Sequence, residues 1–179
     1  VTGATPLKVA QTLRDSSFVS DINAQAGGLD LGGRIFGSLT EMETLKRESR
    51  GLDVEFGGYV EHADLNRELH RADIYISTSL VEGMSNATLE AMAAGLPIIS
   101  TNVGGIGRMI DENGVMIQKI ADADAIAEAL DGYLKNPLLI PRHGKRSRQL
   151  AEQMSWKSVV ERYVRETYKA GPATLFCPV

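Results

Sequence analysis

The sequence predicts an α/β domain built on a parallel sheet, and two observations carry that prediction. Short apolar runs alternate with helix-like stretches along most of the 179 residues, the pattern of parallel strands joined by helical crossovers. The turns at 57–62, 77–86 and 101–107 all follow candidate strands, and an open parallel sheet binds its ligands at such carboxyl ends.

Taken in order, residues 7–24 read as a helix, 29–36 (LDLGGRIF) as a strand and 39–49 as a second helix. The runs 53–56 (DVEF), 73–78 (DIYIST), 97–101 (PIIST) and 114–117 (GVMI) are short and rich in Val, Ile and aromatic residues, so they read as strands. Helices are expected near 63–71, 86–94 and 122–135, the second stopping at Gly95 before Pro97. From Pro137 to Tyr168 the pattern gives a helix, a break at Met154-Ser155, and a helix with Trp156, Val159, Val160, Tyr163 and Val164 on one apolar side. That stripe needs a partner surface: Trp156 and Tyr163 are expected to pack the last helix onto the domain, or the helix crosses to another domain. The domain is expected over 1–170, with a loosely held Gly/Pro-bearing tail at 171–179.

A chain of this length can bury well over half of its unfolded surface. Its single cysteine, Cys177, allows no internal disulfide, which is compatible with a reducing cytosol, and a cytoplasmic chain is expected. The net charge of -4 argues against a general nucleic-acid binder. No apolar run approaches the roughly 18 residues of a membrane span, and no basic start precedes an apolar core as in a signal peptide. His62, His70 and His143 lack metal-ligand spacing, so surface or capping roles are expected, with no metal and no cofactor.

The segment EGMSNATLE, 82–90, sets two glutamates on either side of a loop that becomes a helix. Ser85 or Asn86 can cap that helix. Its first turn leaves amides unpaired at the positive end of the helix dipole, which favours an anion such as a phosphate. Gly83 lets the backbone approach such a ligand closely. Glu82 and Glu90 then bracket the anion. An ionised carboxylate accepts hydrogen bonds only, and it can take both donors of a vicinal diol. A phosphate between two diols suggests a nucleotide sugar. On spacing alone, a solvated helix residue and a loop charge are the usual fates of two such glutamates.

Residues 71–106, RADIYISTSLVEGMSNATLEAMAAGLPIISTNVGGI, hold more than the pair. They include an aspartate-led strand before the site, a serine at its end, the stretch EAMAAGLP, and a strand leading to a paired glycine. In these features the chain resembles the retaining nucleotide-sugar glycosyltransferases of the GT-B fold, specifically their large glycogen synthase-like and mannosyltransferase-like family. The likeness extends more loosely from about Leu45 to Tyr168, through FGGYVEHADL and the terminal SW, RYV and Tyr. It implies a Rossmann-like, doubly wound parallel sheet of about six strands, the C-terminal half of a GT-B fold.

The resemblance also implies roles. Glu82 would contact hydroxyls of the transferred sugar and Glu90 would hold the ribose, while backbone amides at Met84, Ser85 and Asn86 would meet the sugar or the pyrophosphate. Tyr59, Val60 and Glu61, after DVEF, would seat the base, and Gly104 and Gly105 would form a tight strand-to-helix turn near the donor. The family supplies an arginine and a lysine near the first turn of this half, where they meet charge that grows on the leaving diphosphate. TPLK offers Lys8 for the lysine, but Gly3 or Thr2 stands where the arginine is expected: either the arginine is absent, another cation such as Arg34 substitutes, or the register differs near the terminus. Two other glycine-rich stretches are set aside. Gly32, Gly33 and Gly37 are not followed by the Lys-Ser/Thr of a phosphate loop, and GGIGRMI has Ile110 where a dinucleotide fingerprint needs its third glycine.

The implied function is the donor-binding half of a retaining glycosyltransferase of hexosyltransferase type. It would move a sugar from a nucleoside-diphosphate donor, UDP- or GDP-linked, to an acceptor hydroxyl in polysaccharide or glycoconjugate synthesis, with no obligatory metal. The implied partners are that donor, an acceptor sugar or lipid-linked sugar, and an N-terminal acceptor-binding domain that 179 residues cannot contain. Any attachment at a membrane surface would come through that domain, and the chain alone is expected to be poorly active or inactive. Two alternatives stay open: a nucleotide-binding or interaction domain without transfer, favoured by the missing arginine, and a GT-B-fold epimerase. A phosphorylase is disfavoured, because the glycine-rich turn lacks a lysine suited to pyridoxal phosphate.

Overall fold

The computed structural model describes residues 7–12, 31–36, 46, 47, 50, 54–120 and 122–168. Six strands form one sheet: β1 (Leu7–Thr12), β2 (Leu31–Phe36), β3 (Val54–Gly58), β4 (Ile74–Ser77), β5 (Ile98–Thr101) and β6 (Gly114–Ile117). Their spatial order is β3-β2-β1-β4-β5-β6, and every pairing is parallel. The chain builds outward from β1 to β3 and then returns beside β1 to start β4, which is the doubly wound arrangement. Its order reverses between β1 and β4, so their carboxyl ends flank the expected ligand crevice.

One sequence expectation is overturned. Residues 7–12 do not begin a helix; they form the central strand β1, paired with β2 from Leu7↔Leu31 to Thr12↔Phe36 and with β4 from Val9↔Ile74 to Gln11↔Ile76. The apolar positions of LKVAQT fit a strand about as well as a helix, and hydrogen-bonded neighbours on both sides decide for the strand. The rest of that expected helix, most of the one at 39–49 and the tail at 171–179 lie outside the described residues.

The described helices are α1 (His62–Leu69), α2 (Asn86–Ala93), α3 (Ala123–Lys135), α4 (Leu139–Gln153) and α5 (Trp156–Tyr168), with a 3-10 turn at Ile106–Arg108. Every residue of β4 is buried. Tyr75 joins Ile98, Met92, Leu96 and Leu150 in a core formed with α2 and α4. Ile74 and Ile76 belong to a second core, with Ile99, Ile126 and Tyr133, under α3. Helices on both faces explain why these strands are near-continuous apolar runs rather than alternating ones. Fully burying a side chain of this size contributes about 1.5–3 kcal/mol.

The last helix departs from expectation. Trp156 is 85 % exposed, and Val160, Tyr163 and Val164 are exposed with it. The cause lies in the break before α5. Ser155 Oγ accepts the Ser158 amide at 3.2 Å and Ser158 Oγ donates to the Glu152 carbonyl at 3.0 Å, so Ser158 and Val159, rather than Trp156, turn toward the body.

α4 braces α2 from behind. Gly144 lies so close to the end of α2 that a Cβ there would stand 2.2 Å from the Gly95 carbonyl oxygen. Arg148 donates to the Ala93 carbonyl at the same end, and its Nε donates to Glu152 at 3.0 Å. Asn113, fully buried, ties the loop before β6 to α4: its Oδ1 accepts the Asp111 amide at 2.7 Å, and its Nδ2 donates to the Met109 carbonyl and to Ser147 Oγ, both at 3.1 Å. Gly144→Ala should therefore lower the unfolding free energy by about 1–3 kcal/mol, because the added methyl forces the two backbones apart. A urea-unfolding midpoint equal to that of the parent chain would show that the contact can yield.

Candidate functional site

The candidate site is assembled where β4 and β5 end. Both strands finish in hydroxyl residues, Ser77, Thr78 and Ser79 on one side and Ser100 and Thr101 on the other, all of them buried. Thr101 Oγ1 donates to the Ser79 carbonyl at 2.6 Å, which ties the loop after β4 to the end of β5. Ser79 Oγ, 3.5 Å from Ser77 Oγ, donates to Glu82 Oε1 at 3.0 Å. The carboxylate of Glu82 is thus held from within the sheet.

The backbone beside it is held by glycines. Gly104 adopts φ +54, and a Cβ there would lie 1.6 Å from the Glu82 carbonyl oxygen, so only glycine fits in this position. The Gly105 amide donates to the Gly83 carbonyl at 2.8 Å. The expected turn at Gly104 and Gly105 is present, but it leads into the 3-10 turn Ile106–Arg108 rather than a regular helix, with Arg108 exposed at its end. A Cβ at Gly83 would meet nothing within 4 Å, so the loop is open on its outer side.

From there the chain enters α2. Ser85, not Asn86, is the cap: its Oγ accepts the Thr88 amide at 3.3 Å, and its carbonyl accepts the Leu89 amide. None of the hydrogen bonds among the described residues uses the amides of Met84, Ser85 or Asn86 as donors, as expected for a helix start whose first amides have no preceding turn. Unpaired amides together with the dipole suit an anion at this point.

Glu90 lies in the next turn, half-buried, with His62 Nδ1 3.6 Å from its Oε1. This contact connects α2 to the first residue of α1, directly after the loop Tyr59–Glu61, which follows β3 at the far edge of the sheet. Val60 packs against the α2 core, while Tyr59 is exposed, as are Val81 and Met84 on the other lip. The structure therefore groups Glu82, Gly83, Met84, Ser85, Asn86, Gly104 and Gly105, with Glu90 one turn along α2; of the expected base loop, Val60 packs on the α2 core while Tyr59 and Glu61 are exposed. It does not bring Lys8. That residue is the second of β1, paired with Gly32, near the amino ends of the parallel strands, whereas the site lies at their carboxyl ends. The sequence likens TPLK to the family's first turn, whereas Lys8 lies within β1.

Ser79 and Thr101 carry no role in the sequence reading, although a signal was present: two neighbouring apolar strands that both end in buried hydroxyls. Elsewhere, a cavity of about 520 Å³ opens between β6, α3 and the start of α4, on the sheet face opposite α2, and contains none of these residues. Beside it Tyr133 and His143 share a hydrogen bond of 2.9 Å. Burial pushes the Tyr133 hydroxyl up, and burial together with Arg142 pushes the His143 imidazole down, so this histidine has a packing role. Among the described residues there is no group of three His, Cys, Asp or Glu side chains that could hold a metal, and no helix long and apolar enough to cross a membrane.

Residues 18–136 match the family profile described as glycosyl transferases group 1. The chain is 33% identical over 107 residues to the glycogen synthase of Mycobacterium tuberculosis, a match covering 58% of this chain and 26% of that protein. Among solved structures it resembles the sucrose-phosphate synthase of Thermosynechococcus elongatus, with a TM-score of 0.76 and 22% identity, over 94% of this chain and 47% of the other. It also resembles HepE of Anabaena, in complex with UDP, with a TM-score of 0.76 and 19% identity, over 93% of this chain and 49% of the other. These likenesses establish the fold as that of GT-B glycosyltransferases, of which the chain spans about half.

Gly104→Ala should dislodge the 82–85 loop. In amide hydrogen exchange the Gly105 amide is expected to lose protection while the amides of α3 keep theirs, and unchanged protection at Gly105 would show that the loop tolerates the methyl.

Proposed function

Since this chain belongs to the group 1 glycosyl transferases, we propose that it is the donor-binding half of a retaining glycosyltransferase, moving a sugar from a nucleoside-diphosphate sugar to an acceptor hydroxyl. The observation that carries this reading is the juxtaposition of three anchors at the ends of β4 and β5: Glu82 held by Ser79, the Ser85-capped start of α2, and Glu90 one turn on. Solved relatives with bound UDP or UDP-glucose support a nucleotide-sugar donor.

In this proposal the amides of Met84, Ser85 and Asn86 and the α2 dipole receive the pyrophosphate, and they stabilise the negative charge that grows on the departing diphosphate. Glu82 accepts hydrogen bonds from hydroxyls of the transferred sugar and orients it, without deprotonating the acceptor. Glu90 accepts the two hydroxyls of the ribose. The Tyr59–Glu61 loop lies against the base. The acceptor hydroxyl attacks on the face the diphosphate leaves, so the anomeric configuration is retained. The acceptor site belongs to an N-terminal domain, and the chain alone transfers sugar poorly or not at all. Sugar transfer by the isolated chain at a rate equal to that of a two-domain enzyme would refute that division of labour.

A second reading, a nucleotide-binding domain without transfer, is favoured by one observation: Lys8 lies near the amino ends of the strands, away from the carboxyl ends where a diphosphate would bind. Both readings require the ribose contact, and the sugar contact separates them. Losing one charge-assisted hydrogen bond costs about 1.5–3 kcal/mol, so Glu90→Ala should raise the Kd for a nucleoside diphosphate by roughly one to two orders of magnitude. Glu82→Ala should weaken binding of the nucleotide sugar and spare the nucleoside diphosphate. In calorimetric titrations, an unaltered Kd for Glu90→Ala would remove the ribose assignment. Equal binding of nucleotide and nucleotide sugar by the parent chain would favour the second reading.

A further inference from the structure

α2 carries one charged residue, Glu90, and among the described residues its carboxylate has one polar neighbour, His62. His62 likewise has no other polar partner there. The other charges of α1 pair with one another or just beyond the helix: Arg67 reaches Asp64 at 3.0 Å and Glu68 at 3.6 Å, and Arg71, after the helix, reaches Glu68 at 3.3 Å. Among the polar side chains of α1, His62 is the one with a contact on α2, beside the apolar packing of Leu65 and Leu69. As the first residue of α1 it follows directly on Tyr59–Glu61, and its side chain is 86% exposed against 34% for Glu90. The pair therefore sits at the lip where the β3 loop meets α2.

We propose that His62 is a positioning residue for nucleotide binding: its imidazole engages Glu90 Oε1 and leaves Oε2 directed at the vicinal diol of the ribose. The inference rests on the reading of Glu90 as the ribose-holding group. A glutamate in solution samples several rotamers and loses that freedom when it takes a diol. One already restrained by a neighbour loses less, and the difference appears as affinity. The 3.6 Å approach is longer than a hydrogen bond, and exposed pairs of this kind are weak, so the effect is modest. A side chain that acts only through Glu90 should matter when Glu90 is present and the ligand carries its diol, and in no other case.

The test is a double-mutant cycle read by calorimetric titration. The probe is whichever of uridine, guanosine and adenosine diphosphate binds the parent chain most tightly, together with its 2′,3′-dideoxy form. His62→Ala is expected to raise the Kd for the ribose form about two- to fivefold, the scale of an exposed pair, and to leave the dideoxy form unchanged. Adding His62→Ala to Glu90→Ala is expected to change nothing further, and His62→Gln, which keeps a side-chain N–H donor, is expected to restore most of the affinity. The proposal is overturned if His62→Ala leaves the Kd unaltered, weakens the dideoxy form equally, or adds in full to Glu90→Ala, while Glu90→Ala alone still binds weakly. In those cases the ribose assignment stands. If Glu90→Ala itself binds as the parent does, the ribose assignment fails and this inference with it.

Discussion

At Gly104 the chain passes the carbonyl of Glu82 with no room for a single methyl group. That contact, reinforced by the Gly105 amide on Gly83, fixes the end of β5 against the loop that leaves β4. Without it, the segment from Leu80 to Met84 would be a mobile surface loop, because Val81, Gly83 and Met84 are exposed and give it little apolar burial of its own. With it, the Glu82 carboxylate lies within reach of Ser79, and α2 starts in a defined direction. The candidate site is therefore a property of two adjacent strand ends, and neither segment would form it alone.

α2 is the second element on which the arrangement depends. Eight residues are too few for a helix to persist in water on propensity alone. Its stability comes from burial of Ala91 and Met92 against Tyr75 and Ile98, from the Ser85 cap at the front, and from Arg148 and Gly144 of α4 at the back. In the proposed function, a helix whose dipole receives charge must not shift when the charge arrives. The brace at its carboxyl end serves that requirement without contributing a group to the open face.

Much of this was legible in the sequence. β4, β5 and β6 announced themselves as short apolar runs, because strands covered on both faces have little need of polar residues. The Glu82–Glu90 segment was recognisable by its residues, and its cap and helix end followed from local chemistry. The start of the chain was misread for the opposite reason: LKVAQT carries a pattern compatible with two periods, and the partners that choose between them, β2 and β4, lie far along the sequence. That one misassignment carried Lys8 into a turn it does not occupy. Trp156 was misjudged because an apolar stripe states that a helix has a greasy side, while the Ser155 and Ser158 contacts decide which way that side faces. The contact of His62 with Glu90 depends on a distance that no spacing rule supplies.

The close fit of Gly144 on Gly95 has a consequence for how the domain comes apart. Where the end of α2 touches α4 backbone to backbone, loosening of one element is coupled to loosening of the other. Fluctuations that expose the crevice must then disturb residues far behind it, including the Asn113 tether that ends on Ser147. Substitutions on the rear surface of α4 would be expected to register as altered ligand residence times, although they lie far from anything the ligand touches.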